Sequence, residues 1–395
     1  MDASTTTPYG LADSLERLGT ETAFSVLARA RELERQGREI VHLEIGEPDF
    51  DTPLHVRTAA VRALEAGETH YCPSAGIPEL REEAARYLAR TRGVEIDPAR
   101  VLVGTGAKPF LFFTILATCN PGDEVVYPDP GFPIYESAIR WAGATPVPLP
   151  LLEERDFAFD PADLASRLSP RTKLVILNSP QNPTGGALTA EETATVAELL
   201  AGSGAWVLSD EVYSQMVYDQ EFASIASHPS LLERTVVLDG LSKTYAMTGW
   251  RCGFAAVPEA LVDPLVRFFV NSTSCVPPFV QLAGVEALSG PQDEPRAMVE
   301  EFRARRDLVV EGLNALPGVT CRVPRGAFYA FPNVSGVPLE ADELADRLLQ
   351  EAGVAVLAGS AFGRHGTQNL RVSYANSREN LALALERMRA FLGAL

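Results

Sequence analysis

Reactive and polar side chains follow four short apolar runs of this sequence. The runs are "RVLVGTG", "KLVILNSP", "AWVLSDE" and "TVVLDGLS". A lysine can attack a carbonyl carbon when burial or neighbouring cations lower its pKa, and a buried carboxylate can keep a ring nitrogen protonated. These residue types suit a site that binds a small ligand and reacts with it. The residues that come after the runs are Gly106–Lys108, Asn182, Asp210, Tyr213 and Lys243.

Together with Arg251, these residues match one cofactor. The turn at Gly106–Lys108 precedes an apolar helical pattern, so its backbone N–H groups and the Arg251 guanidinium form a pocket for an anion. Asp210 ends an apolar run and can hold a protonated ring nitrogen. Lys243, eight residues before Arg251, can form a Schiff base with an aldehyde. Phosphate, protonated pyridine and aldehyde occur together in pyridoxal 5′-phosphate, which we therefore predict as the cofactor.

Taken singly, the motifs have other interpretations. Asp210 could cap a helix, and Tyr213 could be a core residue with a satisfied hydroxyl. The turn "GTGAKP" lacks the third glycine of a dinucleotide-binding fingerprint. The run "AWVLSDE" resembles a Walker B strand, but the chain contains no GxxxxGKS or GxxxxGKT. A Rossmann dehydrogenase and a P-loop NTPase are therefore disfavoured.

The elements that must position these residues alternate between strand and helix. The apolar runs are rich in β-branched residues and apolar on both faces, which is typical of strands covered by helices on both sides. Between the second and third run lies "TAEETATVAELLAG", a helix in which Thr189 and Glu192 are spaced as a capping box. We predict an α/β fold with a mostly parallel sheet and the ligand at the carboxyl ends of its strands. The last hundred residues predict a smaller α+β unit.

The bulk composition excludes several partners. The 395 residues carry a net charge of −18, which argues against nucleic acid or an anionic membrane as the main partner. Five scattered cysteines form no CxxC, and five histidines form no HExxH, so we predict neither a disulfide framework nor a metal site. The start "MDASTTTPYG" has no secretion-signal pattern, and no apolar run reaches about 18 residues. We predict a cytoplasmic protein.

Six blocks of the sequence resemble, in the family's order, the signature segments of the class I/II aminotransferases, which are fold type I enzymes that use pyridoxal phosphate. The blocks span about residues 40 to 376. The resemblance implies a large cofactor-binding domain over 52–290 and a small domain built from 1–51 and 291–395. The blocks are "LEIGEPDFDTP", "YCPSAGIPELR", "NSPQNPTGG", "SDEVY", "SKTYAMTGWRCGF" and "NLRVSYA".

The resemblance implies a role for each residue around the cofactor ring. Lys243 resembles the Schiff-base lysine, whose freed amine moves the proton of the substrate Cα. Asp210 resembles the partner of the pyridinium nitrogen, which makes the ring an electron sink. Tyr213 and Asn182 resemble donors to the ring's phenolic oxygen, and Phe132 resembles the aromatic residue that stacks on the ring.

The same resemblance implies which residues bind the phosphate and which residue contacts a neighbouring subunit. Gly106 and Ala107 match the phosphate-binding turn, and Arg251 matches its charged clamp. Lys108 also belongs to the turn, where its backbone is expected to matter more than its ammonium group. Ser242 is a further candidate for the phosphate. Tyr71 resembles a tyrosine that reaches the phosphate of a neighbouring subunit, which implies a homodimer.

The substrate is recognised, by the same resemblance, through its α-carboxylate. Arg371 in "NLRVSYA" resembles the arginine that binds this group in a bidentate fork, which lysine could not reproduce. Gly46 matches a backbone position beside the carboxylate, and Phe132 and Asn182 line the same place. The implied activity is amino-group transfer between an L-amino acid and a 2-oxo acid. For a distal substrate carboxylate the sequence assigns no cation, and Phe24 hints at an apolar or aromatic substrate.

Other activities remain open at this point. A lyase, racemase, decarboxylase or oxidase could use the same cofactor residues. A PLP-binding transcription regulator is disfavoured by the acidic charge and by the roughly twenty residues before the first helix, too few for a helix-turn-helix domain. The half-reaction with single amino acids separates the enzymatic alternatives: a transaminase yields pyridoxamine phosphate and a 2-oxo acid.

Overall fold

The computed structural model describes residues 10–395; the start of the chain, on which the absence of a secretion signal was predicted, lies outside the described residues. Within this range no helix is long and apolar enough to cross a membrane. The strands are β1 Val41–His42, β2 Val101–Gly104, β3 Glu124–Asp129, β4 Thr145–Pro150, β5 Thr172–Asn178, β6 Trp206–Asp210, β7 Thr235–Gly240, β8 Gly253–Ala256, β9 Tyr329–Ala330, β10 Val354–Ala355, β11 Leu357–Ala358 and β12 Leu370–Ser373.

The α-helices flank these strands. The predicted capping box is present at the start of α7, where Thr189 and Glu192 bond to each other's backbone. The helices are α1 Thr22–Arg35, α2 Leu54–Glu65, α3 Pro78–Arg92, α4 Lys108–Thr118, α5 Ile134–Trp141, α6 Pro161–Arg167, α7 Ala190–Ala201, α8 Pro229–Leu232, α9 Leu241–Thr244, α10 Glu259–Ser272, α11 Pro278–Ser289, α12 Asp293–Asn314, α13 Ala341–Arg347 and α14 Arg378–Leu392.

The central sheet has seven strands in the order β2-β8-β7-β6-β5-β3-β4. The pairs β7–β6, β6–β5, β5–β3 and β3–β4 are parallel, whereas β8 is antiparallel to both β7 and β2. The predicted α/β fold with a mostly parallel sheet is therefore confirmed. Because β8 alone is reversed, β2 runs in the same direction as β7. The ends of β2, β5, β6 and β7 thus meet at one edge of the sheet, as predicted.

Two small sheets lie outside the central one. Strands β11, β12 and β9 form an antiparallel sheet, and β1 pairs in parallel with β10. Helix α1 packs against β10 and β11, so the amino-terminal segment joins the carboxy-terminal part of the chain. The domain boundaries at 51/52 and 290/291 stay a prediction.

The sequence "EIVHLEIG" (39–46) predicts a strand along its whole length, and this prediction is wrong in extent. Only Val41 and His42 form β1. The segment after it crosses the edge of the central sheet, where the Glu44 carbonyl accepts a hydrogen bond from Arg371 and the Gly46 carbonyl accepts one from Lys243. Side chains therefore take the place of a neighbouring strand as partners of this backbone.

Candidate active site

A cavity of about 560 Å³ opens at the carboxyl edge of the central sheet. It lies where the ends of β5, β6 and β7 face the segment after β1 and the strand β12. All predicted site residues except Gly106 and Tyr71 line it. Those that do are Gly46, Ala107, Lys108, Phe132, Asn182, Asp210, Tyr213, Ser242, Lys243, Arg251 and Arg371.

The two exceptions have different positions. Gly106 lies just behind the cavity wall with a φ of +85°, and a Cβ atom there would come within 2.5 Å of the Arg251 guanidinium. Only glycine therefore allows Arg251 to pack against this turn. Tyr71 is 90% exposed and does not contribute to its own chain's cavity. Its predicted role toward a second subunit stays a prediction.

Lys243 lies in the short helix α9 directly after β7, with its side chain partly buried and facing the cavity. Its Nζ donates a hydrogen bond to the Gly46 carbonyl oxygen at 2.5 Å. Burial lowers the pKa of Lys243 to about 8, the Glu47 carboxylate opposes this shift, and the Arg371 and Arg251 cations reinforce it. About one tenth of Lys243 is therefore a neutral, nucleophilic amine at pH 7, far more than for an ordinary lysine.

Asp210 ends β6 beside Lys243's strand and is buried. Its Oδ2 accepts a 2.7 Å hydrogen bond from the Tyr135 hydroxyl, while its Oδ1 has no hydrogen-bond partner within residues 10–395. Burial raises the pKa of Asp210 to about 6. A buried, unpaired carboxylate oxygen that lines a cavity calls for a cationic donor, such as a protonated ring nitrogen.

The turn before α4 forms an anion site. The first N–H groups of the eleven-residue helix have no partner inside the helix, and Pro109, in its first turn, removes a donor that would otherwise be unpaired. The Arg251 guanidinium packs on Gly106 and donates to the Thr248 carbonyl oxygen at 2.7 Å. Positive charge and free N–H groups thus converge on one place, which fits a phosphate group.

Arg371 on β12 is buried on the opposite side of the cavity. One of its terminal nitrogens donates to Asn182 Oδ1 at 3.2 Å, and the other bonds to the Glu44 carbonyl oxygen. Its Nε finds no acceptor in the described part of the chain. Its guanidinium lies 4.7 Å from the centre of the Tyr329 ring. Arg371 thus keeps one donor unused beside the cavity, where a ligand carboxylate would satisfy it.

Tyr213 reaches the cavity from the turn after β6. Its hydroxyl lies 2.8 Å from the hydroxyl of Tyr329, which is buried on β9. Burial raises the pKa of Tyr213 well above its ordinary value of 10, so the phenol stays protonated. A Cβ atom at position 46 would overlap the Tyr329 hydroxyl at 2.1 Å, so Gly46 is required for this tyrosine pair to fit.

The mouth of the cavity carries an ion pair. The Lys108 ammonium bonds to the carboxylate of Glu21, the residue that precedes α1, and lies 5.3 Å from the centre of the Phe132 ring. Phe24, in the first turn of α1, lines the same mouth and is 61% exposed. The sequence pointed to the backbone of Lys108, whereas its side chain also faces the cavity.

Sequence reasoning missed Tyr135, Tyr329 and Glu21. Tyr135 comes three residues after Phe132, just inside α5, so this spacing could have placed the two side chains close together. Tyr329 belongs to the segment "GAFYAFPNV", which indicated only a short strand. Nothing in the local pattern around Glu21 relates it to Lys108, because the two are 87 residues apart.

Comparison with known proteins gives a consistent result across almost the whole chain. The family described as aminotransferase class I and II matches residues 38–388. The aspartate/prephenate aminotransferase of Cereibacter sphaeroides is 42% identical over 98% of this chain and 99% of its own length.

Solved structures agree with the sequence relatives. The aspartate aminotransferase from Rhizobium meliloti superimposes with a TM-score of 0.93 at 38% identity, covering 98% of this chain and 99% of that one. The aspartate aminotransferase from Thermus thermophilus, determined with maleate, gives a TM-score of 0.92 at 39% identity, covering 98% and 100%. These structures share the fold and the length of this chain.

Proposed function

Since this chain belongs to the class I and II aminotransferase family, we propose that Lys243, Asp210 and Arg371 carry its reaction and that its substrates include dicarboxylic amino acids. The protein is a pyridoxal-phosphate-dependent transaminase that moves an amino group between an amino acid and a 2-oxo acid. The residue roles and the substrate class below are our proposals.

The cavity residues fit the cofactor. When bound, pyridoxal phosphate supplies an aldehyde that condenses with amines and a ring that withdraws electrons from the attached carbon. The amino end of α4 and Arg251 would hold its phosphate, Phe132 would cover the ring, and the unpaired Oδ1 of Asp210 would bind the ring nitrogen. Tyr213 and Asn182 remain the proposed donors to the phenolic oxygen.

Lys243 would move the proton. Its Nζ faces the cavity and its pKa is lowered to about 8, so it can accept the proton that leaves the substrate Cα and later donate it. In the present arrangement Nζ is held by the Gly46 carbonyl, a neutral acceptor. This contact orients the amine without fixing it as an ammonium ion.

Arg371 would bind the substrate α-carboxylate. Its planar guanidinium is already oriented by Asn182 and by the Glu44 carbonyl, and the free Nε provides a donor for the incoming carboxylate. Because the group is ordered before the substrate binds, little entropy is lost on binding.

The ion pair between Lys108 and Glu21 carries the proposal on substrate class. Of the cavity's cations, Arg371 is proposed for the α-carboxylate, Arg251 for the phosphate and Lys243 for the chemistry. Lys108 is then the cation for a second substrate carboxylate, which would displace Glu21 from it. The names of the Cereibacter relative and of the Thermus structure, with aspartate, prephenate and maleate, support a dicarboxylic ligand.

A second candidate class is favoured by Phe24. Its exposed ring lines the cavity mouth beside the ion pair and offers an apolar surface to an aromatic or aliphatic substrate side chain. With such a substrate the bond between Glu21 and Lys108 would stay intact. Both classes could share this mouth if the ion pair opens for one and remains closed for the other.

Steady-state kinetics with aspartate, alanine and phenylalanine test the proposal. In Lys108→Met we expect kcat/KM for aspartate to fall about 10- to 100-fold, the effect of losing a hydrogen bond to a charged group, with alanine nearly unchanged. In Glu21→Gln, which removes the competitor for Lys108, kcat/KM for aspartate should rise. An equal loss for all three substrates in Lys108→Met would contradict a role in side-chain recognition, and Lys173→Met provides an exposed-lysine control.

A homodimer and a cytoplasmic location are also proposed. Tyr71 is 90% exposed, and Leu54, Val61 and Leu64 expose their side chains along α2, as residues of an interface would. All five cysteines lie in the described part of the chain and are free thiols, which suits a reducing compartment. Sedimentation velocity would test the dimer, and a monomer at micromolar concentration would contradict it.

A further inference from the structure

Tyr135 contacts the carboxylate that is proposed to bind the cofactor ring. It is the second residue of α5, fully buried, and its hydroxyl donates to Asp210 Oδ2 at 2.7 Å. Burial raises the pKa of Tyr135 well above 10, with Asp210 adding to the shift. The hydroxyl therefore remains a donor throughout the range in which the carboxylate titrates.

The hydrogen bond leaves the two oxygens of Asp210 in different states. Tyr135 occupies Oδ2, whereas Oδ1 stays unpaired among residues 10–395 and the residue lines the cavity. Rotation of the carboxylate would exchange the two oxygens and lose the Tyr135 bond. The hydroxyl thus fixes which oxygen is available to a ligand.

The charges around Asp210 disfavour its ionised form, which the hydrogen bond from Tyr135 stabilises. Burial raises the pKa of Asp210 most, and the nearby carboxylates of Glu211 and Asp239 raise it further, while the Tyr135 hydrogen bond and the Val212 backbone lower it. The phenol of Tyr213, whose pKa is raised partly by Asp210, is a further titratable group near this carboxylate. Tyr135 is therefore the principal side-chain donor that favours the ionised form.

Arg92 is the counter-ion of Glu211 and Asp239 and forms no ion pair with Asp210. Arg92, at the end of α3, bonds to Glu211 Oε2 at 3.0 Å and also to Asp239, and all three side chains are buried. One guanidinium faces two carboxylates, so this cluster keeps a net negative charge. Asp210 depends on the Tyr135 hydroxyl.

We propose that Tyr135 is a positioning residue that keeps the Asp210 carboxylate ionised and its Oδ1 directed at the ring nitrogen of the cofactor. The inference rests on the proposed role of Asp210. Tyr135 also links Asp210 to Phe132, the residue proposed to cover the cofactor ring. The Tyr135 N–H donates to the Phe132 carbonyl at 3.0 Å, and the Tyr135 and Phe132 rings meet edge to face at 5.7 Å. The start of α5 and the residues just before it thus support both the face of the ring and the partner of its nitrogen.

Binding of pyridoxamine 5′-phosphate to the cofactor-free protein tests this role, since this ligand carries the ring and phosphate but cannot bond covalently to Lys243. Its affinity is measured by calorimetry between pH 5.5 and 9 for the wild type, Tyr135→Phe and Tyr127→Phe. Tyr127→Phe is the matched control, because the Tyr127 hydroxyl donates to Glu136 at 3.0 Å rather than to Asp210.

In the wild type we expect affinity to fall as the pH drops through about 6, where Asp210 becomes protonated. In Tyr135→Phe the midpoint of this fall should move up by about one to two pH units, the shift that loss of a hydrogen bond to a carboxylate produces. Affinity near pH 9 should be almost unchanged, and Tyr127→Phe should follow the wild type. The ligand's own phosphate also titrates near pH 6, but equally in all variants.

Asp210→Asn supplies the second variant. It should remove this component of the pH dependence, and Tyr135→Phe should shift nothing further in that background. A loss of affinity in Tyr135→Phe that is equal at every pH would show a merely structural role and overturn the inference, as would a midpoint identical to that of the wild type. Wild-type protein that binds no pyridoxamine phosphate at any pH would overturn the proposed cofactor site as well.

Discussion

The hydroxyl oxygens of Tyr213 and Tyr329 lie 2.8 Å apart in the wall of the cavity. Tyr329 also stacks its ring under the Arg371 guanidinium, at 4.7 Å from ring centre to cation. It therefore joins the proposed cofactor-binding phenol to the proposed substrate-binding cation.

Tyr329→Phe should isolate the hydroxyl, because the ring under Arg371 is kept. We expect kcat/KM to fall about five- to tenfold, as loss of one buried hydrogen bond costs about 1 kcal/mol. Steady-state kinetics measure this. Tyr374→Phe is the control, since that buried hydroxyl donates to the Ala327 carbonyl. Equal kcat/KM values for Tyr329→Phe and wild type would mean that Tyr213 needs no partner.

Arg371→Lys should weaken substrate binding while sparing the cofactor. The lysine keeps the charge but loses the planar fork, so kcat/KM should fall about 100-fold, corresponding to about 3 kcal/mol. Bound cofactor, measured after gel filtration, should stay at the wild-type level. Arg364→Lys, an exposed arginine near the same edge, is the control. Unimpaired kinetics in Arg371→Lys would refute the assignment of the α-carboxylate.

Lys243→Met should stabilise the cofactor-free protein while abolishing its activity. Burial lowers the pKa of Lys243 from 10.5 to about 8, which corresponds to about 3 kcal/mol of destabilisation at pH 7. Between pH 8 and 10.5 the unfolded chain binds this proton and the folded chain does not, so wild-type stability rises with pH and the variant's advantage disappears. Urea unfolding at pH 7 and pH 10.5 measures the difference. The exposed Lys173→Met should show no such trend.

His42→Gln should destabilise the protein at low pH only. His42 bonds to Glu44 at 2.8 Å and to Glu34 on α1 at 3.0 Å, and the hydrogen bond that the ring donates to Glu44 is the main cause of its raised pKa. Its stabilisation is complete below its unfolded pKa of about 6.5 and is lost as the pH rises through the raised value. We expect a loss of about 1 kcal/mol at pH 5.5 and less at pH 8.5. The exposed His70→Gln is the comparison; a loss independent of pH would exclude the ionic contribution.

The sequence predicted the site residues at the ends of strands better than the site residues on other elements. Asp210 and Lys243 could be placed together because the carboxyl ends of parallel strands meet at one edge. Tyr135 and Glu21 reach the cavity from the first turn of one helix and the start of another, and only the packing of those helices on the sheet decides where they point. The strand predicted after residue 39 was too long because Arg371, which is distant in the chain, provides hydrogen-bond donors that no local pattern shows.

The reversed strand β8 has a consequence for how this chain can vary. Because β7 and β8 are adjacent and antiparallel, the segment between Gly240 and Gly253 leaves the sheet edge and returns to it. Lys243 lies near the start of this loop and Arg251 near its end, so the number of loop residues sets the distance between the amine and the guanidinium. Exchange of loop residues between the two should be tolerated far better than insertion or deletion of a single one. Anyone redesigning this protein for new substrates should therefore keep the loop's residue count and vary the mouth instead.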